Sequence, residues 1–307
     1  MLHPVATTGR RIAIFVIAYN AVRHLIRTIE RIPPEVYARV EEIFVIDDAS
    51  SDNTYYAALG YKYYHGVEKL KVFRNDKNQR YGGNQKVGYR YAIERGFDVV
   101  AMLHGDGQYA PEALPLLLEP FEQGADMVFG SRMVVPGQAR SGGMPLYKYV
   151  GNRVLTKIQN RLTGLGISEF HSGYRLYSCH ALKDIPFASF TNEWHFDTEI
   201  LLALHERGKK IVERPIPTYY GDEICHVNGI PYAAHCVFTS ARFWWLRRHG
   251  QFAYPGPQDV PTPGEPTPTA PANVAAAGFG SIPRLTLGAK LPIVEAGTQK
   301  PEPVEAG

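Results

Sequence analysis

Long apolar runs, cysteines and an excess of one charge are all scarce in this sequence of 307 residues. No stretch approaches the roughly 18 consecutive apolar residues that a membrane-spanning helix requires, so none is expected. The first apolar run, residues 12–19, is too short to span a bilayer and lacks the small-residue cleavage site that ends a signal peptide. It is therefore predicted to be a buried strand.

Cysteine usage and net charge exclude further classes of protein. The three cysteines, Cys179, Cys225 and Cys236, are too few and odd in number for a disulfide framework, which favours a reducing compartment. A zinc site is not expected either, because His226 and His235 directly adjoin cysteines, whereas zinc ligands are usually two or more residues apart. The net charge of +3 is too small to indicate nucleic-acid binding, and no nucleic-acid partner is expected.

The composition of the chain changes near residue 253. Residues 253–307 hold 11 of the 23 prolines and only two aromatic residues, Tyr254 and Phe279. A segment so poor in large apolar side chains does not offset the entropy lost on folding. The sequence therefore predicts one folded domain over residues 1–252 and a disordered, proline-rich tail over residues 253–307. An interaction protein working through this tail stays a competing hypothesis.

Apolar runs of strand length alternate with helical patterns in the rest of the chain. Strands are predicted over residues 12–18, 42–46, 70–73, 99–103 and 126–129, and helices over residues 21–31, 85–95, 111–122 and 232–249. This alternation predicts an α/β fold with a mostly parallel sheet and helices on both faces. Ligands of such sheets bind beyond the carboxyl ends of the strands, where we therefore look for the site.

Polar residues stand just after several predicted strands. They are Asn20, Asp47, Asp48, His104, Asp106, Gln108 and Arg132. Each has a structural interpretation of its own, as a helix cap or a turn former. Together they place carboxylates, a trio of residues able to bind a metal and an arginine on one rim of one sheet, which favours a binding site.

The order of these segments resembles family 2 of the glycosyltransferases, whose GT-A fold is Rossmann-like, over roughly two-thirds of the chain. The dolichyl- or polyprenyl-phosphate glycosyltransferase branch is most similar. Its motifs P-x-Y-N-E, D-D-G-S-x-D-x-T and D-x-D-x-Q correspond here to I-A-Y-N-A (17–21), D-D-A-S-S-D-N-T (47–54) and H-G-D-G-Q (104–108). G-S-R is kept at 130–132, and D-x-x-S-G-[FY]-R appears as E-F-H-S-G-Y-R at 169–175.

The resemblance implies a nucleotide-diphosphate sugar donor, GDP- or UDP-linked, and a divalent cation. The residues it implies for the nucleotide sugar are Ala18, Tyr19, Asn20, Asp47, Asp48, Lys86 and Asp106. The expected metal ligands are His104, Asp106 and Gln108, which suit Mg²⁺ or Mn²⁺. His104 stands where the family has an aspartate, so a packing role for it and a non-catalytic nucleotide-sugar-binding domain both stay open. The loop before residue 85 is expected to approach the donor phosphates with Lys86 or Arg80.

The resemblance also implies catalytic and acceptor residues. Glu169, Asp106 and Arg132 are the expected catalytic residues, with Glu169 as first candidate for a general base. Rivals for the base are His171, Asp197 and Glu199. The expected acceptor contacts are Arg132, Lys148, Asn152, Ser172 and Arg175. A phosphate acceptor needs no base, whereas a sugar hydroxyl does, and acids in the segment 219–226 disfavour a phosphate.

We therefore predict an inverting, metal-dependent glycosyltransferase that acts on a lipid-linked or glycan acceptor in cell-envelope polysaccharide or glycolipid synthesis. Its expected location is cytoplasmic, with peripheral contact at the cytoplasmic face of a membrane as one option. The aromatic and basic helix over residues 232–249 either packs on the domain or lies at such a surface.

Overall fold

The computed structural model describes residues 9–218 and 229–250. Its centre is a seven-stranded sheet with the strand order β3-β2-β1-β4-β6-β5-β7. The strands are β1 (Ile12–Ala18), β2 (Glu42–Asp47), β3 (Leu70–Arg74), β4 (Val99–His104), β5 (Met127–Ser131), β6 (Arg175–Ser178) and β7 (Ile211–Pro215). Neighbouring strands run parallel, except that β6 is antiparallel to both β4 and β5.

Helices cover both faces of this sheet. They are α1 (Leu25–Glu30), α2 (Pro34–Arg39), α3 (Thr54–His65), α4 (Arg80–Glu94), α5 (Leu114–Glu122), α6 (Gln138–Ser141), α7 (Leu146–Thr163), α8 (Cys179–Lys183), α9 (Phe196–Glu206) and α10 (Gly229–Arg248). Successive residues of β1 enter opposite cores: Ile14 and Val16 pack in one, Phe15 and Ile17 in the other. Burial on both sides explains why the central strands are continuous apolar runs. The predicted mostly parallel, doubly covered sheet is confirmed.

The five predicted strands are present to within two residues at each end. The start of α4 differs more, since the helix begins at Arg80 rather than at residue 85. Gly82 and Gly83 therefore lie inside the helix and not in a phosphate-binding loop. A Cβ on Gly82 would lie 2.7 Å from Cβ of Phe196, so this glycine lets α4 approach the start of α9 closely.

Several predictions concern residues that the structure does not describe. The tail over residues 253–307, the acidic segment 219–226 and the Cys225–His226 pair lie outside the described residues. The division of the chain near residue 253 therefore stays a prediction. Within the described ranges, no helix is long and apolar enough to cross a membrane.

Candidate active site

The loop after β2 is held by two buried carboxylates. Asp47 is fully buried, and it accepts hydrogen bonds from the hydroxyl and the N–H of Ser50, the latter at 3.2 Å. The guanidinium of Arg74 lies 3.4 Å from the same carboxylate. Burial raises the pKa of Asp47 above its ordinary value, against the opposing effect of Ser50 and Arg74. Asp47 therefore fastens the loop and is not turned toward solvent.

Asp48 has a similar role in the neighbouring loop. It is also buried, and its Oδ1 accepts from the side-chain amide of Asn75 and the N–H of Gln79, both at 2.8 Å. Its own N–H donates to the carbonyl of Ala18 at 2.9 Å. These contacts join the ends of β1, β2 and β3 into one rigid rim. Both carboxylates hold loops in this arrangement, and the donor contacts expected of Asp47 and Asp48 stay predictions.

The accessible part of this rim is the turn after β1. Tyr19 is 51% exposed, and Asn20 next to it is exposed with a left-handed φ of +50°. The N–H of Asn20 donates to Ser50 Oγ at 2.8 Å. Ala49, at the glycine position of the family motif, also has a left-handed φ of +55°, which explains the family's glycine there. Tyr19 and Asn20 are thus exposed side chains of this rim, and Asn20 Oδ1 accepts from the N–H of the equally accessible Ser51 at 3.0 Å.

The turn after β4 presents Asp106 to solvent. Asp106 is exposed, and the N–H of Gln108 donates to its Oδ1 at 2.9 Å, across Gly107 at φ +74°. A half-buried His104 packs edge-on against Tyr109, with ring centres 4.9 Å apart. Its Nε2 lies 3.3 Å from the carbonyl of Gly173. The turn thus combines an exposed carboxylate with an imidazole held by the loop after Glu169.

These residues fit a divalent cation only together with a phosphate-bearing ligand. Within residues 9–218 and 229–250, no three His, Cys, Asp or Glu side chains come together as a metal cage. Mg²⁺ in nucleotide sites usually takes one or two carboxylates and completes its shell with substrate phosphates and water. Asp106 suits that pattern. If the Nε2 proton of His104 goes to Gly173, the neutral ring keeps Nδ1 unprotonated, as a ligand must be.

A buried ion pair follows β5. Glu169 is fully buried and Arg132 is 11% exposed. The backbone N–H of Arg132 donates to Glu169 Oε2 at 2.8 Å, its Nε donates to Oε1 at 3.0 Å, and its terminal nitrogen makes a further ionic hydrogen bond. Asn152 Nδ2 from α7 donates to Oε1 at 2.7 Å. Burial raises the pKa of Glu169, but the charge and hydrogen bonds of Arg132 outweigh it and lower the pKa overall.

Three residues predicted to contact ligands also support loops inside the protein. Arg175 is 1% exposed and donates to the carbonyls of Ser172, Phe170 and Asp197 at 2.9, 2.8 and 2.6 Å. Ser172 is buried as well. Neither side chain reaches solvent in this arrangement, and their contact with the acceptor stays a prediction.

Lys86 is the third of these supports. It is buried on α4 and donates to the carbonyl of Phe190 and to Asn192 Oδ1, the latter at 2.8 Å. Burial lowers the pKa of its ammonium group. Arg80, its rival as a phosphate contact, forms an ion pair with Glu193. These two basic residues in the first half of α4 therefore tie the helix to the segment before α9.

The other candidate bases are also committed to internal contacts. Asp197 accepts from Tyr81 Oη at 3.0 Å and from Gln85 Nε2 at 3.1 Å. Glu199 accepts from the N–H of Thr191 at 2.7 Å, and burial raises its pKa. His171 Nδ1 lies 3.0 Å from Tyr232 Oη, and burial lowers its pKa to about 4, so it stays neutral at pH 7.

Sequence reasoning missed an aromatic wall beside His104. Tyr81 stacks on the partly exposed Trp194, with ring centres 4.5 Å apart and planes 24° apart. The same Tyr81 Oη lies 3.5 Å from His104 Nε2. Tyr81 falls in a stretch of sequence that looks like a polar loop, so its contact with His104 is visible only once the residue is placed on α4.

Lys148 is half-buried in the first turn of α7, the helix that also carries Asn152.

The fold and this rim define a class of protein. The sequence profile of glycosyl transferase family 2 matches residues 13–186, which is more than half of the chain. The chain therefore belongs to glycosyl transferase family 2, the family expected from its motifs, and is an enzyme of the sugar-transferring class.

The names of individual relatives are more specific than the family description. The chain is 28% identical to an undecaprenyl-phosphate mannosyltransferase of Micrococcus luteus over 209 residues, covering 67% of this chain and 82% of the relative. It is 27% identical to a UDP-N-acetylglucosamine–dolichyl-phosphate N-acetylglucosaminyltransferase of Methanococcus voltae, covering 66% and 83%. Its fold is similar to that of glucosyl-3-phosphoglycerate synthase of Mycobacterium tuberculosis in complex with Mn²⁺, UDP and phosphoglyceric acid. That match has a TM-score of 0.54 and 17% identity, and covers 79% of each chain.

Proposed function

We propose that this chain transfers a sugar from a GDP- or UDP-linked donor to the phosphate of a polyprenyl-type lipid carrier. The transfer inverts the anomeric carbon and uses Mg²⁺ or Mn²⁺. The product serves cell-envelope polysaccharide or glycolipid synthesis. Support comes from the names of the relatives, which specify undecaprenyl and dolichyl phosphate, and from the structural neighbour, which holds UDP with Mn²⁺.

The observation that carries the choice of acceptor is the buried pair of Glu169 and Arg132. A general base works best when its pKa lies near the working pH and its oxygen reaches the acceptor. Glu169 fails on both counts, since its pKa is lowered and both oxygens accept hydrogen bonds from Arg132. A phosphate is already an anion and needs no base. The pair therefore suits a phosphate acceptor better than a sugar hydroxyl.

Each residue then has one task in the reaction. Tyr19 and Asn20 contact the nucleoside, and Asp106, with His104 and Gln108 beside it, would hold the cation. When bound, the cation neutralises charge on the departing nucleoside diphosphate. Glu169 and Asn152 hold Arg132 in place, and Arg132, with Lys148 on α7, orients the acceptor phosphate.

The bonds balance without an external base. An acceptor phosphate oxygen forms a bond to the anomeric carbon on the face opposite the leaving group. The bond from that carbon to the donor diphosphate oxygen breaks, and the nucleoside diphosphate leaves with the electron pair. One displacement of this kind inverts the configuration. Orientation of the two reactants is the main contribution of the residues around Arg132.

The test is a matrix of donors and acceptors. GDP- and UDP-sugars are each combined with undecaprenyl phosphate, undecaprenol and a soluble oligosaccharide, with Mg²⁺, Mn²⁺ or EDTA. We expect transfer only to the phosphate and only with a metal present. Transfer to a hydroxyl acceptor alone would overturn the choice of acceptor. No transfer at all, with nucleotide binding retained, would favour a non-catalytic nucleotide-sugar-binding domain. That alternative arises because His104 stands where the family has an aspartate.

Two further parts of the proposal concern the whole protein. We place the reaction at the cytoplasmic face of a membrane, where the protein is in peripheral contact and the nucleotide sugar is available. We also propose that residues 1–252 form the catalytic domain and that residues 253–307 are not needed for transfer. Removal of residues 253–307 should leave the rate of transfer within about twofold, and a larger loss would assign the tail a part in the reaction.

A further inference from the structure

The short segment 190–193, which precedes α9, is fastened to α4 by several hydrogen bonds. The carbonyl of Asn192 accepts from the N–H of Gly82 at 2.7 Å, and its side-chain oxygen accepts from Lys86 Nζ at 2.8 Å. The same ammonium group donates to the carbonyl of Phe190. Backbone and side-chain contacts together therefore fix the position of this segment on the first half of α4.

The residues of α4 that hold the segment are unusual for a helix of this kind. A Cβ on Gly82 would lie 2.7 Å from the carbonyl oxygen of Thr191, so any other residue would push the segment away. Lys86 is only 6% exposed, and burial lowers the pKa of its ammonium group. Lysine is rarely buried to this extent. The burial of Lys86 is understandable if the exact position of the segment matters to the protein.

The residue that this segment presents is Trp194, which follows it directly. Its indole is 38% exposed although it stacks on Tyr81, with ring centres 4.5 Å apart. Within residues 9–218 and 229–250, no second ring covers it. A single exposed tryptophan is common on protein surfaces. An indole held in one orientation by a fastened segment, with part of its surface open, is instead suited to binding a ligand.

The aromatic wall of Tyr81 and Trp194 begins at the turn that follows β4. The Oη atom of Tyr81 lies 3.5 Å from His104 Nε2 and donates to Asp197 Oδ2 at 3.0 Å. In the proposed function the donor diphosphate lies on a cation at Asp106, and the sugar is bonded to the outer phosphate. The sugar is therefore expected beside this turn, where the wall begins.

We propose that the transferred sugar stacks on the indole of Trp194. A pyranose ring has a face of C–H groups with small positive partial charges, and the face of an indole is negative. A phosphate gains nothing from such a surface, so the wall suits the sugar and not the diphosphate. The ligand is thus a hexopyranose that presents a C–H face, and an axial hydroxyl on that face would be disfavoured. This inference rests on the proposed function in one respect, since it requires a nucleotide-sugar donor.

The first test uses the fluorescence of Trp194 itself. The chain has three tryptophans, and Trp244→Phe with Trp245→Phe leaves Trp194 as the only one. This full-length variant is titrated, with Mn²⁺ present, with UDP-glucose, UDP-galactose, UDP-N-acetylglucosamine and GDP-mannose, and with UDP and GDP as controls. We expect at least one nucleotide sugar to move the emission to shorter wavelength, because the sugar covers the indole. The free nucleotides should leave the emission unchanged.

The second test compares affinities by calorimetry, using the nucleotide sugar that binds most tightly. Trp194→Ala should raise its Kd at least about 10-fold, and should leave the Kd of the free nucleotide within about twofold. Trp194→Phe keeps an aromatic ring and should recover the affinity to within about threefold of the unchanged protein. The matched control is Trp245→Ala, which removes a tryptophan that is 46% exposed on α10 and should change neither Kd more than about twofold.

Several results would overturn the proposal. One is a fluorescence response that is no larger with any of the four nucleotide sugars than with its nucleotide. Another is an unchanged Kd for the nucleotide sugar in Trp194→Ala. A response to farnesyl phosphate with none to the nucleotide sugars would assign Trp194 to the acceptor instead. Melting temperatures establish that Trp194→Ala is folded, and the fluorescence titration keeps Trp194 in place and so does not depend on that variant.

The outcomes also separate this proposal from the proposed function. Transfer to undecaprenyl phosphate with an unchanged KM for the donor in Trp194→Ala would refute the role of Trp194 and leave the function intact. A loss of sugar-dependent affinity in Trp194→Ala, in a chain that transfers to no phosphate acceptor, would refute the proposed function and leave the role of Trp194 intact.

Discussion

Replacing Glu169 by glutamine would remove one charge from a buried ion pair and leave its partner in place. The Glu169 carboxylate is fully buried, and the Arg132 side chain is 11% exposed. Glutamine has nearly the same shape and can still accept from Asn152 Nδ2, so the change isolates the charge. Arg132 would then be a nearly buried cation without its counter-charge.

The expected loss of stability is large. Removing one partner of a buried pair costs about 3–5 kcal/mol, and the lower end applies because Arg132 keeps some contact with water. For a folded region of this size, about 3 kcal/mol corresponds to a fall in melting temperature of about 6–12 °C. Loss of the fixed orientation of Arg132 should also lower kcat/KM for a phosphate acceptor by about 100-fold. Calorimetry and initial rates measure the two effects separately.

Two controls distinguish a supporting role from a catalytic one. Glu213→Gln changes a half-buried carboxylate that accepts from Ser168, so it should cost only about 1 kcal/mol. Removing both charges, with Arg132→Met added to Glu169→Gln, should recover much of the stability but none of the activity. A Glu169→Gln variant that is inactive yet melts within 2 °C of the unchanged protein would refute the supporting role and indicate a general base.

The pH dependence of the unfolding free energy tests the same prediction. Because the folded-state pKa of Glu169 is lowered, the pair stabilises the fold above the ordinary glutamate pKa of about 4.3 and loses this effect as pH falls through the folded-state value. The difference in unfolding free energy between the Glu169→Gln variant and the unchanged protein should therefore be constant near neutral pH. It should shrink in acid below about pH 4. A difference that grows in acid would contradict the lowered pKa.

Three other changes test the rims of the site. Asp106→Ala should lower metal-stimulated transfer by at least about 100-fold. It should leave the melting temperature unchanged, because Asp106 is exposed. The control Asp76→Ala, which changes another exposed acid, should leave both the rate and the melting temperature unchanged. His104→Asp should keep transfer and move the metal preference from Mn²⁺ toward Mg²⁺, as titration of activity with each metal would show, and a metal-independent rate would count against a ligand role. Ala49→Gly should raise the melting temperature by about 1–3 °C, because it relieves the left-handed φ of +55°; an unchanged or lower value would mean that the loop stores no strain there.

The sequence predicts the strands well and the helices less well, for a physical reason. Strands buried on both faces need apolar side chains at every position, so β1, β2 and β4 are visible as unbroken runs. The four residues of β6 are too short for such a pattern, and this strand was missed. The helix α7 was also missed, because its apolar residues face outward and its buried ones are Thr156, Gln159 and Thr163. That inversion hides a helix from any search for an apolar inner face.

The candidate site shows a different limit of sequence reasoning. Motif positions locate a residue along the chain, but they do not tell whether its side chain faces the ligand or the protein. Asp47, Lys86 and Arg175 all occupy expected positions, yet each is buried and bonded to a neighbouring loop. Their partners lie far along the chain in two cases, since Lys86 contacts Asn192 and Arg175 contacts Asp197. Such long-range contacts depend on how the helices pack, which no local pattern records.

Residues that hold the loops have a part of their own in the proposed reaction. The residues that we propose to face the ligands, such as Asn20, Asp106 and Arg132, lie in turns, where the backbone alone holds a side chain poorly. Each of these residues is hydrogen-bonded to a second residue that holds it in place: Asn20 to Ser50, Asp106 to Gln108 and Arg132 to Glu169. Catalysis by orientation requires this rigidity, because a displacement of about 1 Å can cost about 100-fold in rate. Substitutions in the supporting residues should therefore reduce kcat more than they change the affinity for the donor.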